Sequence, residues 1–92
     1  MDALPVRWSD QALDDLADIT GYIEQFNLRA SASLLRKVGA AAQTLSSVPH
    51  GFRFGRIPGT REMVIHPNYL LVYRVNGQIR ILTVIHARKK YP

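Results

Sequence analysis

The chain contains no cysteine in 92 residues, which excludes a disulfide framework, a thiolate metal site and a thiol nucleophile at once. It also lacks any long apolar run: stretches such as Asn68-Tyr69-Leu70-Leu71-Val72-Tyr73 fall far short of the roughly 20 residues that cross a bilayer. The first residues, MDALPVRWSD, carry no basic segment leading into an apolar one, so no export signal is read there and a cytoplasmic location is expected. Acid is scarce in one half. From residue 49 onward Glu62 faces eight Arg and Lys side chains, a net of +7, whereas residues 1–48 net −2. A chain this two-sided attracts polyanions or an acidic protein segment to its basic half. Repeats and low-complexity segments are missing too, and the length suits a single domain over residues 1–92 with one modest core. No metal and no cofactor are expected.

What is present begins with Leu4-Pro5-Val6-Arg7-Trp8, a short strand whose proline suits an edge position. Ser9 or Asp10 caps a helix in which Leu13, Leu16, Ile19, Ile23 and Phe26 recur at helical spacing. Asn27 breaks and restarts the chain. A second helix from about Leu28 to Ser46 buries Leu34, Leu35, Val38, Ala41, Ala42 and Leu45. Together they read as an αα-hairpin. Gly51 to Gly59 reads as a loop in which Phe52 and Phe54 alternate with Arg53 and Arg56, more an anchor beneath a sheet than a base-stacking platform. Three strands follow, so the expected fold class is α+β: a short strand, an αα-hairpin and a three-stranded antiparallel meander with helices on one face.

Turn chemistry sets an expected register. Asn76-Gly77 suits a two-residue hairpin loop, which places Val75 opposite Gln78, Tyr73 opposite Arg80 and Leu71 opposite Leu82. Pro67-Asn68 as a second loop places His66 opposite Tyr69 and Glu62 opposite Tyr73. On that register Met63, Ile65, Leu70, Val72, Ile79, Ile81, Thr83 and Ile85 form the core face, with Arg61 and Arg74 side by side at its edge. Val64, Tyr69, Leu71, Tyr73, Arg80, Leu82 and Val84 fall on the opposite face with Glu62, His66 and His86. An apolar row left open there marks a partner surface, unless the N-terminal segment or the tail covers it.

The order of elements, with Pro58-Gly59-Thr60-Arg61-Glu62, Pro67-Asn68-Tyr69, Val72-Tyr73-Arg74-Val75, His86-Ala87-Arg88 and the terminal Tyr91-Pro92, resembles the RelE/ParE superfamily of type II toxin–antitoxin toxins, in its ParE-like branch. The resemblance spans about residues 4–91. It implies a bacterial growth inhibitor held silent by a cognate antitoxin, in a hetero-oligomeric complex. An antitoxin segment with apolar anchors and acidic flanks fits the row of Val64, Tyr69, Leu71, Tyr73, Arg80, Leu82 and Val84.

Toxins of this kind divide into poisons of DNA gyrase and ribosome-dependent messenger RNA endoribonucleases. For a gyrase poison the resemblance directs attention to Arg61, Arg74, His86, Arg88, Lys89, Lys90 and Tyr91 as target contacts. A nuclease needs a base for the 2′-hydroxyl, an acid for the leaving oxygen and cations for the phosphate, and His86, Tyr91, Arg61 and Arg88 are the residues that could supply them. Two departures count against it. Leu70 stands where several endoribonuclease relatives carry an arginine, and Lys90-Tyr91 stands where some carry His-Tyr. The gyrase reading is therefore preferred, and the chain is expected not to be an enzyme.

Overall fold

Ser9 and Asn27 punctuate the first half of the molecule as their side chains dictate. The structure, a computed structural model, describes residues 3–91; Asp2 of the charge tally and Pro92 of the terminal marker lie outside them. The elements run β1 (Val6–Trp8), α1 (Asp10–Glu24), α2 (Leu28–Ser47), β2 (Arg53–Phe54), β3 (Arg61–His66), β4 (Tyr69–Val75) and β5 (Ile79–His86). Ser9 sits in extended conformation and its Oγ accepts the Ala12 N–H at 3.0 Å, satisfying a donor the first turn leaves free. Asn27 repeats the device for α2, its Oδ1 accepting the Ala30 N–H at 3.0 Å. The helices pack antiparallel, and Ser31, buried where they meet, donates to the Thr20 carbonyl.

The sheet has five strands in the order β1-β5-β4-β3-β2. The edge strand β1 runs parallel to β5, with Arg7 opposite Arg80, and the αα-hairpin carries the chain from β1 to β2 at the opposite edge of the sheet. The other pairs are antiparallel. Part of the segment expected as loop is β2, which places Arg53 opposite Glu62 and Phe54 opposite Arg61.

The expected register fails at two bulges and one turn. Val75 pairs with Ile79, Arg74 with Arg80 and Tyr73 with Ile81, so the hairpin loop holds three residues, Asn76-Gly77-Gln78, with Gly77 at φ +67°. Beyond it Leu82 is an extra residue: Val72 pairs with Thr83 and Leu71 with Val84. His66 does meet Tyr69, but Ile65 bulges, so Arg61 rather than Glu62 lies opposite Tyr73. Because side chains alternate along a strand, each one-residue shift moves a set to the other face.

The consequence is an exchange of faces. Leu71, Tyr73 and Val84 join Ile65, Ile79 and Ile81 beneath the helices, packed with Ala12, Leu34, Val38, Ala41 and Leu45. Leu70, Val72 and Ile85 form a second, smaller cluster on the other side, against Ala87 and Tyr91. Thus Leu71, Tyr73 and Val84, expected on an open partner face, are 0%, 0% and 2% exposed in the main core, and Leu70, Val72 and Ile85, expected in that core, are covered by the C-terminal tail.

Candidate functional site

Three places gather the residues of interest. At one end of the sheet Tyr69 stands between His66 and His86, with ring centroids 5.7 and 5.5 Å away. His66 and His86 flank β4 from opposite neighbouring strands, so two strand spacings, roughly 10 Å, separate their backbones. Each imidazole is turned to its own turn: His66 Nδ1 accepts the Asn68 N–H at 3.0 Å, and His86 Nδ1 accepts the Arg88 N–H at 3.1 Å. Tyr69 and His86 line a cavity of about 360 Å³ with Asp15, Asp18, Ile19 and Tyr22 of α1 and with Lys89. Asp15 ties this end of the helix to the sheet, accepting from Thr83 Oγ1 and from the Val84 N–H at 3.2 Å. It thereby supplies the bulged strand with a partner for a backbone donor.

On the opposite face lies the tail. Tyr91 packs on Leu70, Val72 and Ile85, and the Arg56 guanidinium stands 4.5 Å above its ring while Arg56 Nη1 donates to the carbonyls of Lys89 (3.1 Å) and Tyr91 (3.5 Å). The Tyr91 hydroxyl is buried and makes no hydrogen bond among the described residues. Nearby Glu62, 4% exposed, accepts from Arg53 Nε at 3.0 Å and from the Arg56 N–H at 3.3 Å. The expected row of Glu62, Tyr73 and Arg80 does not form, because Glu62 and Tyr73 point to opposite faces. Its carboxylate serves β2 and the loop that carries Arg56.

Arg61 is engaged at a third place. Its Nη1 donates to the carbonyls of Phe52 (2.8 Å) and His50 (3.4 Å), and its guanidinium covers the Phe54 ring at 4.4 Å. Burial pushes the Tyr73 hydroxyl above the usual phenol range, partly offset by the Arg61 charge beside it, and the hydroxyl donates to the Pro49 carbonyl at 2.9 Å. Arg61 and Arg74 are therefore not the expected pair, since Arg61 faces Tyr73 and Arg74 faces Arg80. His86, Tyr91, Arg61 and Arg88 do not converge: His86 belongs to the cavity beside α1, Tyr91 to the opposite face, and Arg61 to the loop after α2. Arg88, Lys89 and Lys90 are exposed.

The sequence profile of the ParE toxin of type II toxin–antitoxin systems, parDE, matches residues 6–91. The chain belongs to the ParE toxin family. This ParE-family toxin is 38% identical over 88 residues to Y4kP of Sinorhizobium fredii, named as a candidate toxin, covering 95% of this chain and 92% of that one. It is 33% identical over 85 residues to the toxin RelE2 of Caulobacter vibrioides, covering 91% and 96%. Among solved structures, the chromosomal ParDE system from P. aeruginosa superposes with a TM-score of 0.79 at 17% identity, covering 91% of this chain and 96% of that one. The RelBE2 toxin–antitoxin complex from Mycobacterium tuberculosis gives 0.63 at 24% identity, covering 97% of each. These superpositions agree with the α+β class read from the sequence.

In the toxin, sequence reasoning missed two contributors. Asp15 carries no local signal, and only the tertiary pairing of α1 with the bulge of β5 gives it a role. Arg56 carried a signal, a basic residue among aromatics in a short loop, but the aromatic it meets is Tyr91, 35 residues away. No helix of the described residues is long and apolar enough to cross a membrane.

Proposed function

We propose that this toxin acts as a ParE-like poison of DNA gyrase, without performing chemistry of its own, and that a cognate antitoxin neutralises it in a hetero-oligomeric complex. The observation that carries the reading is the dispersal of the acid–base candidates. An endoribonuclease has to bring a base, an acid and phosphate-binding cations to within hydrogen-bonding reach of one phosphodiester. Here His86 and Tyr91 lie on opposite faces, the Tyr91 hydroxyl is buried, and Arg61 is committed to backbone carbonyls. What stays free is charge: Arg74, Arg88, Lys89 and Lys90 are exposed, suited to holding a target by contact.

For the antitoxin, Leu71, Tyr73 and Val84 are inaccessible in the folded toxin, whereas Val64 is 56% exposed and Tyr69 and Leu82 retain accessible surface. The cavity beside α1, on the helix side of the sheet, offers a separate apolar contact: Tyr69 and Ile19 line it, fitting an apolar anchor of an antitoxin segment.

The test is a tightly controlled burst of expression in cells lacking the antitoxin, with thymidine and amino-acid incorporation followed in parallel over the first minutes. DNA synthesis stopping first, with an induced DNA-damage response, is the expected outcome. Protein synthesis stopping first, with toxicity abolished by Tyr91→Phe, replaces the reading with the nuclease one. Growth unaffected by a toxin that still binds its antitoxin overturns both.

A further inference from the structure

Arg7, Arg80 and Arg74 stand in one row across three adjacent strands. Arg7 of β1 pairs with Arg80 of β5, and Arg80 pairs with Arg74 of β4. Paired residues share a face, and the neighbours of each, Val6 and Trp8, Ile79 and Ile81, Tyr73 and Val75, pack into the main core. All three arginines therefore project from the face away from the helices, and all three are exposed. Their backbones lie about 4.8 Å apart from strand to strand, so the row spans roughly 10 Å.

Like charges placed directly opposite one another destabilise a sheet, and a structural row of this kind calls for interleaved carboxylates. None is supplied: among the described residues the one ion pair is Arg53–Glu62. Arg74 is also held in place. Its Nη1 donates to the Pro58 carbonyl at 3.3 Å, and Gly59, at φ +83°, lets it pass where a Cβ would come within 2.6 Å. One donor of its fork is used, and the others make no hydrogen bond among the described residues. Among the described residues the row is a guanidinium comb without a paired carboxylate, and one of its members is held in position.

We propose that the row formed by Arg7, Arg80 and Arg74 binds the phosphodiester backbone of double-stranded DNA. Guanidinium forks match phosphate oxygens, and a duplex carries one negative charge per about 1.7 Å of its axis, so a span of roughly 10 Å meets several phosphates. A single strand is disfavoured because it needs aromatic platforms on which its bases stack. The aromatics near this end, Trp8 and Tyr73, belong to the helix side, and Tyr91 lies under Arg56 at the tail. An acidic peptide is disfavoured because it draws affinity from apolar anchors beside the charge, and Val72, the apolar side chain next to Arg74 on its strand and face, is buried beneath the tail. The proposal does not depend on which cellular target the toxin attacks.

The experiment is fluorescence anisotropy of the purified full chain with a labelled mixed-sequence 20-base-pair duplex, from 50 to 200 mM salt. The probe is compared with a 20-nucleotide single-stranded RNA and with a glutamate-rich peptide. Three phosphate contacts contribute a slope of about −2.7 in log K against log salt, roughly a 40-fold loss across that range. The triple variant R7Q/R74Q/R80Q is expected to lose that part of the slope while keeping the wild-type circular dichroism spectrum, and R7K/R74K/R80K to retain it. A folded glutamine triple variant with an unchanged slope overturns the proposal. So does loss of the slope in the lysine triple variant, which keeps the charge. Tighter binding of the single strand or of the acidic peptide than of the duplex, lost on the same substitutions, assigns the row to that ligand and overturns it equally.

Discussion

Tyr73 carries a hydroxyl into the middle of the main core and is fully buried there. Its hydrogen bond to the Pro49 carbonyl makes this tolerable, since a buried hydroxyl without a partner costs about as much as the group's desolvation. Tyr73→Phe is expected to lower stability by about 0.5–1.5 kcal/mol at neutral pH, measured by urea unfolding. The pH dependence follows from the raised phenol. The unfolded chain releases this proton near pH 10 while the folded chain still holds it, so the Tyr73 contribution is intact below about pH 10 and is lost as pH rises toward the folded value. The Phe variant is expected to lose less stability between neutral pH and pH 11 than the wild type does. Arg80 presents the converse situation. Flanked by Arg7 and Arg74, it works against the sheet, so Arg80→Gln is expected to raise the melting temperature at low salt. The gain should fade as salt shortens the screening length to about 3 Å at 1 M.

At the scale of elements, α1 is fastened by both its cap and its middle. Ser9 accepts from Ala12 and donates through Oγ to the Leu82 carbonyl at 2.8 Å, while its N–H donates to the Ile81 carbonyl. One turn and a half later Asp15 receives Thr83 and Val84. Both attachments fall on the stretch of β5 where Leu82 bulges, so the irregular backbone groups are satisfied by a cap and a carboxylate instead of by a neighbouring strand. Ser9→Ala should cost about 1–2 kcal/mol in thermal or chemical unfolding, toward the upper end for a cap because the Leu82 carbonyl also loses its donor. A loss no larger than at an exposed cap in α2, Asn27→Ala, would show that the link to β5 contributes nothing.

Across the whole molecule the sheet separates two apolar clusters of unequal weight. The helix side is filled by large side chains from every long element, and the far side by Leu70, Val72 and Ile85 under Tyr91. Stability should follow that inequality. Leu45→Ala, which empties a fully buried position between α2 and the sheet, is expected to cost about 2–5 kcal/mol. Tyr91→Ala removes only the cover of the smaller cluster, and a smaller loss in the same unfolding assay checks the comparison. The same division separates charge. The helices carry most of the acids, whereas Arg7, Arg74 and Arg80 project from the face of the sheet away from them, with Arg56 near the tail, so the net charge of +5 becomes a directional field.

Local chemistry determined the element types, their order and most of their limits in this protein. Ser9 and Asn27 cap the helices, the three-and-four spacing of α1 and α2 names Leu16, Ile19, Ile23, Leu34, Val38, Ala41 and Leu45 on their inner faces although Leu13, Phe26 and Leu35 of the same pattern lie exposed, and Pro67-Asn68 and Asn76-Gly77 mark the turns. Those signals act within a few residues, so they can be read along the chain, and with the motifs they carry they also led to the family. The faces of β4 and of the far half of β5 were not legible. One added residue at Ile65 and another at Leu82, with Gln78 drawn into the hairpin loop, reverse the alternation, and nothing adjacent to those residues announces a bulge. The bulge at Leu82 is held by Ser9 and Asp15, more than 65 residues distant in sequence. Tertiary pairing likewise decided that Arg7, counted with the acidic half of the chain, stands beside Arg80 and Arg74. It also set Tyr91 and His86 on opposite sides of the sheet. Side-chain alternation has a period of two, so the identity of a face depends on the register summed over the whole strand, and only the folded sheet completes that sum.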